Sequence, residues 1–151
     1  MAILTAAFRA DSQRIHGEHE VLLDRLMEME RALEHLALRG NAAADADLDV
    51  VREVGLQLTR EWPEHCRREE EELLRTVADV SPELGDFCRR MREEHQTLMA
   101  QLALFRVDLE DLKSARDPKV AVEHLIEDGA KLARALRHHV AMEERELSGF
   151  L

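Results

Sequence analysis

An all-α, up-down-up-down four-helix bundle is the fold this sequence predicts, and three observations lead to it. Six Gly, three Pro and no Tyr among 151 residues, with abundant Leu, Ala, Glu and Arg, favour helices over sheets. Apolar residues recur at three- and four-residue intervals through four long stretches, the period of one helix face. Short connectors separate those stretches and force antiparallel neighbours. A chain of this length is expected to be one domain, residues 1–151, with a core that needs no metal merely to hold together.

The first ten residues carry Ile3, Leu4 and Phe8 and are expected to lie as a short segment across one end of the fold. Asp11 or Ser12 then caps a first helix over about 12–39, whose stripe is Ile15, Leu22, Leu23, Leu26, Leu33 and Leu36. Gly40-Asn41 is a stop signal, and Ala42 to Asp45 forms a small connector. The second helix, about 47–79, presents Val51, Val54, Leu58, Trp62 and Leu73. Pro63 should kink it without breaking it, because the stripe keeps its phase across the proline. Ser81-Pro82 reads as an N-cap and a first-turn proline, opening a third helix over about 82–113 that turns Leu84, Cys88, Met91, Leu98, Met99, Leu102 and Leu109 inward. Asp117-Pro118 repeats the signal for a fourth, about 118–148, with Leu125, Leu132, Leu136 and Leu147.

Charge and termini exclude several functions. Asp and Glu number 32 against 21 Lys and Arg, and a net charge of -11 without a basic cluster repels a nucleic-acid backbone. The apolar runs are too short for a bilayer, and the start MAILTAAFRADS lacks a secretory leader, so a cytoplasmic chain with no membrane or nucleic-acid partner is expected. Cys66 and Cys88 are read as buried free thiols.

The chemistry lies in a pattern that occurs twice. His19 leads to His65 and Glu69; His95 leads to His139 and Glu143. Histidine and glutamate four residues apart on a helix lie roughly 40° apart on one face, so both reach toward one point. His65 stands about 14 residues before the end of the second helix and His95 about 13 after the start of the third. At about 1.5 Å per residue they are level, and the other two connections agree similarly. A shift of 76 positions superposes His19, Leu22, Leu23, Leu26 and Leu33 on His95, Leu98, Met99, Leu102 and Leu109; a shift of 74 superposes Leu58, Trp62, His65, Glu69 and Leu73 on Leu132, Leu136, His139, Glu143 and Leu147. The bundle is therefore two pseudo-repeated helix pairs.

Four histidines and two carboxylates exceed one tetrahedral zinc but suit two metals about 3.5–4 Å apart if each carboxylate bridges them. His19 and His65 would serve one metal and His95 and His139 the other, with Glu69 and Glu143 between; a solvent-derived oxo or hydroxo bridge and an open position would complete the site. The ligand types admit iron, manganese or zinc. Burying six ionisable groups at one level without metal would be costly. The run Glu69 to Glu72 reads mostly as a solvated helix face, with Glu72 and Glu146 as candidates to hold imidazole N–H groups or relay protons. His35, His124 and His138 are read as surface residues.

The stretches GEHEVLLDRL, PEHCRREEEELL, EEHQTLMAQL and RHHVAMEERELSGFL resemble the hemerythrin-like (HHE cation-binding) domain, in that family's order of H, HxxxE, H, HxxxE and over essentially the whole chain. The resemblance implies a non-haem di-iron centre that binds or reacts with dioxygen, or that senses dioxygen, nitric oxide, peroxide or iron, with manganese and zinc as alternative metals. Trp62 and Leu136 are read as core residues that, as neighbours of the site, could also wall a dry oxygen pocket. Oxygen-carrying members have a fifth histidine where this chain has Met91, which argues against reversible transport; by the same comparison His16 is either a fifth ligand or a solvent-facing or outer group, and Glu144, at those members' spacing, is kept as an alternative to Glu143. A sensor would signal through a separate partner protein. The alternatives are a di-iron oxidase or peroxidase and a metal-independent helical interaction domain; no nucleophile triad or phosphate-binding glycine loop is present to support another enzyme class.

Overall fold

The computed structural model describes residues 6–39, 44–114 and 116–148. Five helices run through them: α1 (Ala6–Arg39), α2 (Ala44–Arg68), α3 (Arg75–Ala78), α4 (Pro82–Asp111) and α5 (Pro118–Ser148). A π-helical turn, Glu69–Leu74, joins α2 to α3, so residues 44–78 form one long rod. With that rod counted once, the chain is an all-α four-helix bundle. Each rod packs on two others, in the order α1, α2, α4, α5 and back to α1, which makes a square with the core along its axis.

Local sequence accounts for two of the helix starts. Ser81 has an extended backbone (φ −156°, ψ 159°), and its hydroxyl accepts the Leu84 N–H at 3.2 Å ahead of Pro82. Asp117 accepts the Lys119 N–H at 3.1 Å in the same way ahead of Pro118. The start of α1 departs from expectation. It is helical from Ala6, so Asp11 and Ser12 lie inside it and cap nothing; Phe8, Ser12 and Ile15 are buried along one face, and Phe8 and Ile15 join the lower apolar cluster. That burial, a tertiary effect, extends the helix beyond the cap signal. Ile3, Leu4, Gly40, Asn41 and Ala42 fall outside the described residues. Pro63 sits inside an unbroken α2, and the departure from α geometry comes at Glu69–Leu74 instead. Met99, expected inward, is 37% exposed.

The core divides in two. A larger cluster holds Leu26, Met29, Leu33, Val51, Leu102, Phe105, Leu125 and Leu132; a smaller one holds Ile15, Leu73, Leu74, Phe87, Cys88, Met91 and Leu147. Between them lies a buried polar layer. In the larger cluster the Phe105 ring is flanked by two repeat-related glycines: a Cβ at Gly55 would meet Phe105 Cε1 at 3.0 Å, and one at Gly129 would meet Cε2 at 3.0 Å. Glycine within a helix costs about 1 kcal/mol, and here it admits an aromatic ring across the bundle axis. Among the described residues no helix is long and apolar enough to cross a membrane.

Candidate metal centre

The polar layer consists of the six residues singled out in the sequence. His19 comes from α1, His65 from α2, Glu69 from the first residue of the π-helical turn, His95 from α4, and His139 and Glu143 from α5. None is more than 6% exposed. Their ligand atoms fall into two overlapping sets, His19, His65, Glu69 and Glu143, and Glu69, His95, His139 and Glu143, each with all atoms within 4.8 Å of one another. Both glutamates belong to both sets.

Each glutamate divides its oxygens between the histidine pairs. Glu69 Oε2 lies 3.0 Å from His65 Nε2 and 3.6 Å from His19 Nε2, while Oε1 lies 2.9 Å from His95 Nε2. Glu143 Oε1 lies 3.2 Å from His19 Nε2, and Oε2 lies 3.4 Å from His139 Nε2. These contacts are close but mostly not aligned as hydrogen bonds. Both oxygens of Glu69 and of Glu143, Nε2 of His95 and both ring nitrogens of His139 are buried without a hydrogen-bond partner. Each orphaned atom costs about 1–3 kcal/mol if nothing satisfies it. His19 Nε2 and His65 Nε2 point at one another across 3.2 Å. Donor atoms that converge on common points instead of pairing fit a pair of cations, whereas a self-sufficient hydrogen-bonded layer would leave no such orphans.

A ring of outer carboxylates fixes the imidazoles. Glu18 of α1 lies 2.7 Å from Nδ1 of His65, Glu70 of the π-helical turn 3.0 Å from Nδ1 of His95, and Glu144 of α5 2.8 Å from Nδ1 of His19. Glu94 of α4 approaches Nδ1 of His139 at 3.7 Å, too far for a hydrogen bond. Every rod thus offers a glutamate to the next histidine around the square. A carboxylate on Nδ1 holds the proton there and leaves Nε2 as the inward donor atom. These four glutamates sit beside the inner residues in sequence, one before each lone histidine and one after each HxxxE glutamate. The repeated form EH…HxxxEE was the available signal.

Glu72 and Glu146, expected in this role, do not fill it. Glu72 is 39% exposed at its side chain and pairs with Arg14; Glu146 is exposed. The outer partner comes from the neighbouring helix, so spacing along one helix could not identify it. Glu144 serves as an outer group and also bonds His16 Nδ1 at 2.8 Å; His16, with 55% of its side chain exposed, meets the centre only through that carboxylate. Met91 is fully buried in the smaller apolar cluster. His35, His124 and His138 are exposed.

The electrostatics follow from the packing. Burial opposes charge on His19, but Glu143, Glu69 and Glu144 outweigh it and raise its pKa to about 10. Burial likewise opposes charge on His95, which the Cys66 thiol and Glu69 raise to about 11. Burial works against ionisation of Glu69, yet His19, His65 and His95 hold it well below the usual carboxylate range; Glu143 is raised by burial and by the charge of Glu69. Without metal, His19 and His95 are protonated beside an ionised Glu69.

The two halves differ outside the inner six. Arg68 donates to Glu18 at 2.6 Å, whereas the repeat-related position of Arg68 is Met142 and Glu94 Oε2 has no hydrogen-bond partner. Trp62 packs over His65, where the repeat-related residue is Leu136.

The family model described as hemerythrin HHE cation binding domain matches residues 10–151. No curated protein and no solved structure matches the chain.

Proposed function

Because the chain belongs to the hemerythrin HHE cation-binding family, we propose that its cation site is a di-iron centre that binds or senses a small ligand: dioxygen, nitric oxide, peroxide or the iron itself. One observation carries the two-metal reading: Glu69 and Glu143 each split their oxygens between the two histidine pairs. His19 and His65 would hold one iron and His95 and His139 the other. Two imidazoles and two shared carboxylates give each iron four protein donors. Bound there, iron supplies a redox-active centre with positions left for a small ligand.

The chain's own residues shape what reaches that centre. Glu18, Glu70 and Glu144 hold Nδ1 protons outward and keep Nε2 of His65, His95 and His19 turned in. Trp62, Leu136 and Val140 line the apolar side above the layer, and Met91 and Leu73 belong to the cluster below it. A dry wall of this kind favours a small, weakly hydrated ligand. Sensing is preferred to transport because the position that carries a fifth histidine in oxygen carriers is the buried Met91.

Metal analysis with oxygen exposure is the test. Protein from iron-replete cells should hold about two iron atoms per chain and, once oxidised, absorb in the near ultraviolet. Reduced protein that autoxidises in air without turnover supports a sensor; sustained peroxide consumption would make it an enzyme. Glu69→Ala should lose both irons together. A folded, metal-free wild type would overturn the reading.

A further inference from the structure

Between α1 and α2 lies a cleft of about 350 Å³, at the small end of the roughly 300–1,000 Å³ typical of small-molecule sites. Val21, Leu22, Leu58 and Trp62 give it an apolar lining, and His65 stands in its wall. Through His65 the cleft reaches the inner six, whereas the corresponding cavity between α4 and α5 is lined by none of them.

The repeat supplies an internal control. The related position between α4 and α5 also has a cavity, lined by Glu93, Gln101, Ala135 and Met142 where the α1–α2 cleft has Gly17, Arg25, Glu61 and Arg68. Two helix pairs of common design therefore differ in their openings. At Gly17 an added Cβ would meet nothing within 4 Å, so the cleft is open where its counterpart carries a glutamate.

Charge and hydrogen bonding indicate what the cleft would hold. Its lining has three guanidinium groups, Arg14, Arg25 and Arg68, each paired with a glutamate, Glu72, Glu61 and Glu18 in turn. Two N–H donors on lining side chains, Trp62 Nε1 and Arg68 Nε, are buried without an acceptor. Trp62 is itself only 3% exposed. Two orphaned N–H donors beside an apolar wall call for acceptor oxygens on an apolar body, and the Arg68 guanidinium at the same end favours an anionic group there.

We propose that the α1–α2 cleft binds a small monocarboxylate with an apolar chain, its carboxylate at the inner end beside Arg68 and Trp62 and its chain along Val21, Leu22 and Leu58. Arg68 already donates to Glu18 at 2.6 Å, and Glu18 lies 2.7 Å from His65 Nδ1, so the ligand shares an arginine with the carboxylate that orients a histidine of the centre. On the α4–α5 side Met142 replaces that arginine, and no such connection exists.

Octanoate, below its micelle concentration, is the probe. Titrated into the full chain and followed by calorimetry and by emission of Trp62, it should bind saturably at one site per chain. Octanol should bind at least tenfold more weakly, and Arg68→Met, which copies the opposite side, should weaken octanoate at least tenfold. Gly17→Leu should abolish binding while leaving the helical circular dichroism unchanged, because its Cβ has nothing within 4 Å and the rest of the side chain extends into the opening. Equal binding of octanol and octanoate, or unchanged binding by folded Gly17→Leu, would overturn the proposal. So would the absence of saturable binding, or a dimer that closes the cleft and that octanoate does not dissociate. None of the substituted residues is an inner donor, and calorimetry in one fixed metal state reads octanoate binding whether or not the centre holds iron.

Discussion

Trp62 is stacked on His65, with ring centroids 5.1 Å apart and planes 27° from parallel, and it stands edge-on to His95 at 6.0 Å and His139 at 5.8 Å. The chain has no other tryptophan. Its emission therefore reports on three of the four imidazoles. Loading iron should quench that emission strongly, and zinc, which has no redox chemistry, should shift it with far less quenching. Titrating each metal into the metal-free chain makes the comparison. Emission indifferent to either metal would place the bound ions away from this layer.

The outer glutamates are not equivalent. Glu18 lies 2.7 Å from His65 and is gripped by Arg68, whereas Glu94 stands 3.7 Å from His139 with no arginine behind it. Removing a partner that orients a ligating histidine typically costs about 10–100-fold in metal affinity. Glu18→Gln should show a loss in that range and Glu94→Gln a clearly smaller one. Competition with a chelator of known affinity measures both, and equal losses would show that the 2.7 and 3.7 Å contacts do equal work.

What the sequence revealed and what it hid divide by whether the cause is local. Ser81-Pro82 and Asp117-Pro118 mark helix starts because a cap acts on the next three residues. His65 with Glu69 and His139 with Glu143 could be paired because four residues in one helix share a face, and residue counting along short loops brought the pairs level. The early start of α1 at Ala6 was hidden because it rests on burial of Phe8 against the lower cluster. The π-helical turn at Glu69–Leu74 leaves no mark in the run of four glutamates that opens it. The ring of Glu18, Glu70, Glu94 and Glu144 was missed because each reaches a histidine on another rod, a relation that spacing within one helix does not contain.

Metal uptake should be linked to protons. Burial opposes charge on His19 and His95, but their carboxylate and thiol neighbours prevail and raise them to about 10 and about 11, so at pH 7 both carry a proton in the metal-free chain. A ligating imidazole must give up the proton on the nitrogen that binds metal. Loading should release about two protons per chain from these residues, and affinity should rise with pH until it passes the raised pKa values. An indicator dye in weakly buffered solution counts the protons. Uptake at pH 7 without proton release would mean that these imidazoles are neutral before metal arrives.

Far from the centre, Asp108 of α4 is 8% exposed, and one of its carboxylate oxygens has no hydrogen-bond partner. Burial, followed by the neighbouring Asp128 of α5, raises its pKa from 3.8 to about 7. The sign follows from proton linkage. Between those two values the folded chain keeps a proton on Asp108 that the unfolded chain has lost, so this group makes stability fall as pH rises from about 4 to about 7 and leaves a constant penalty above that. Asp108→Asn keeps the shape and removes the titration. Its melting temperature should match that of the wild type at pH 4 and exceed it by several degrees at pH 8, since each kcal/mol moves it by about 2–4 °C in a domain of this length. Thermal melts of both proteins in the same metal state decide it. A variant less stable than wild type at pH 8 would mean that the Asp108 carboxylate is ionised and held by a partner, the opposite of the buried, crowded acid described here.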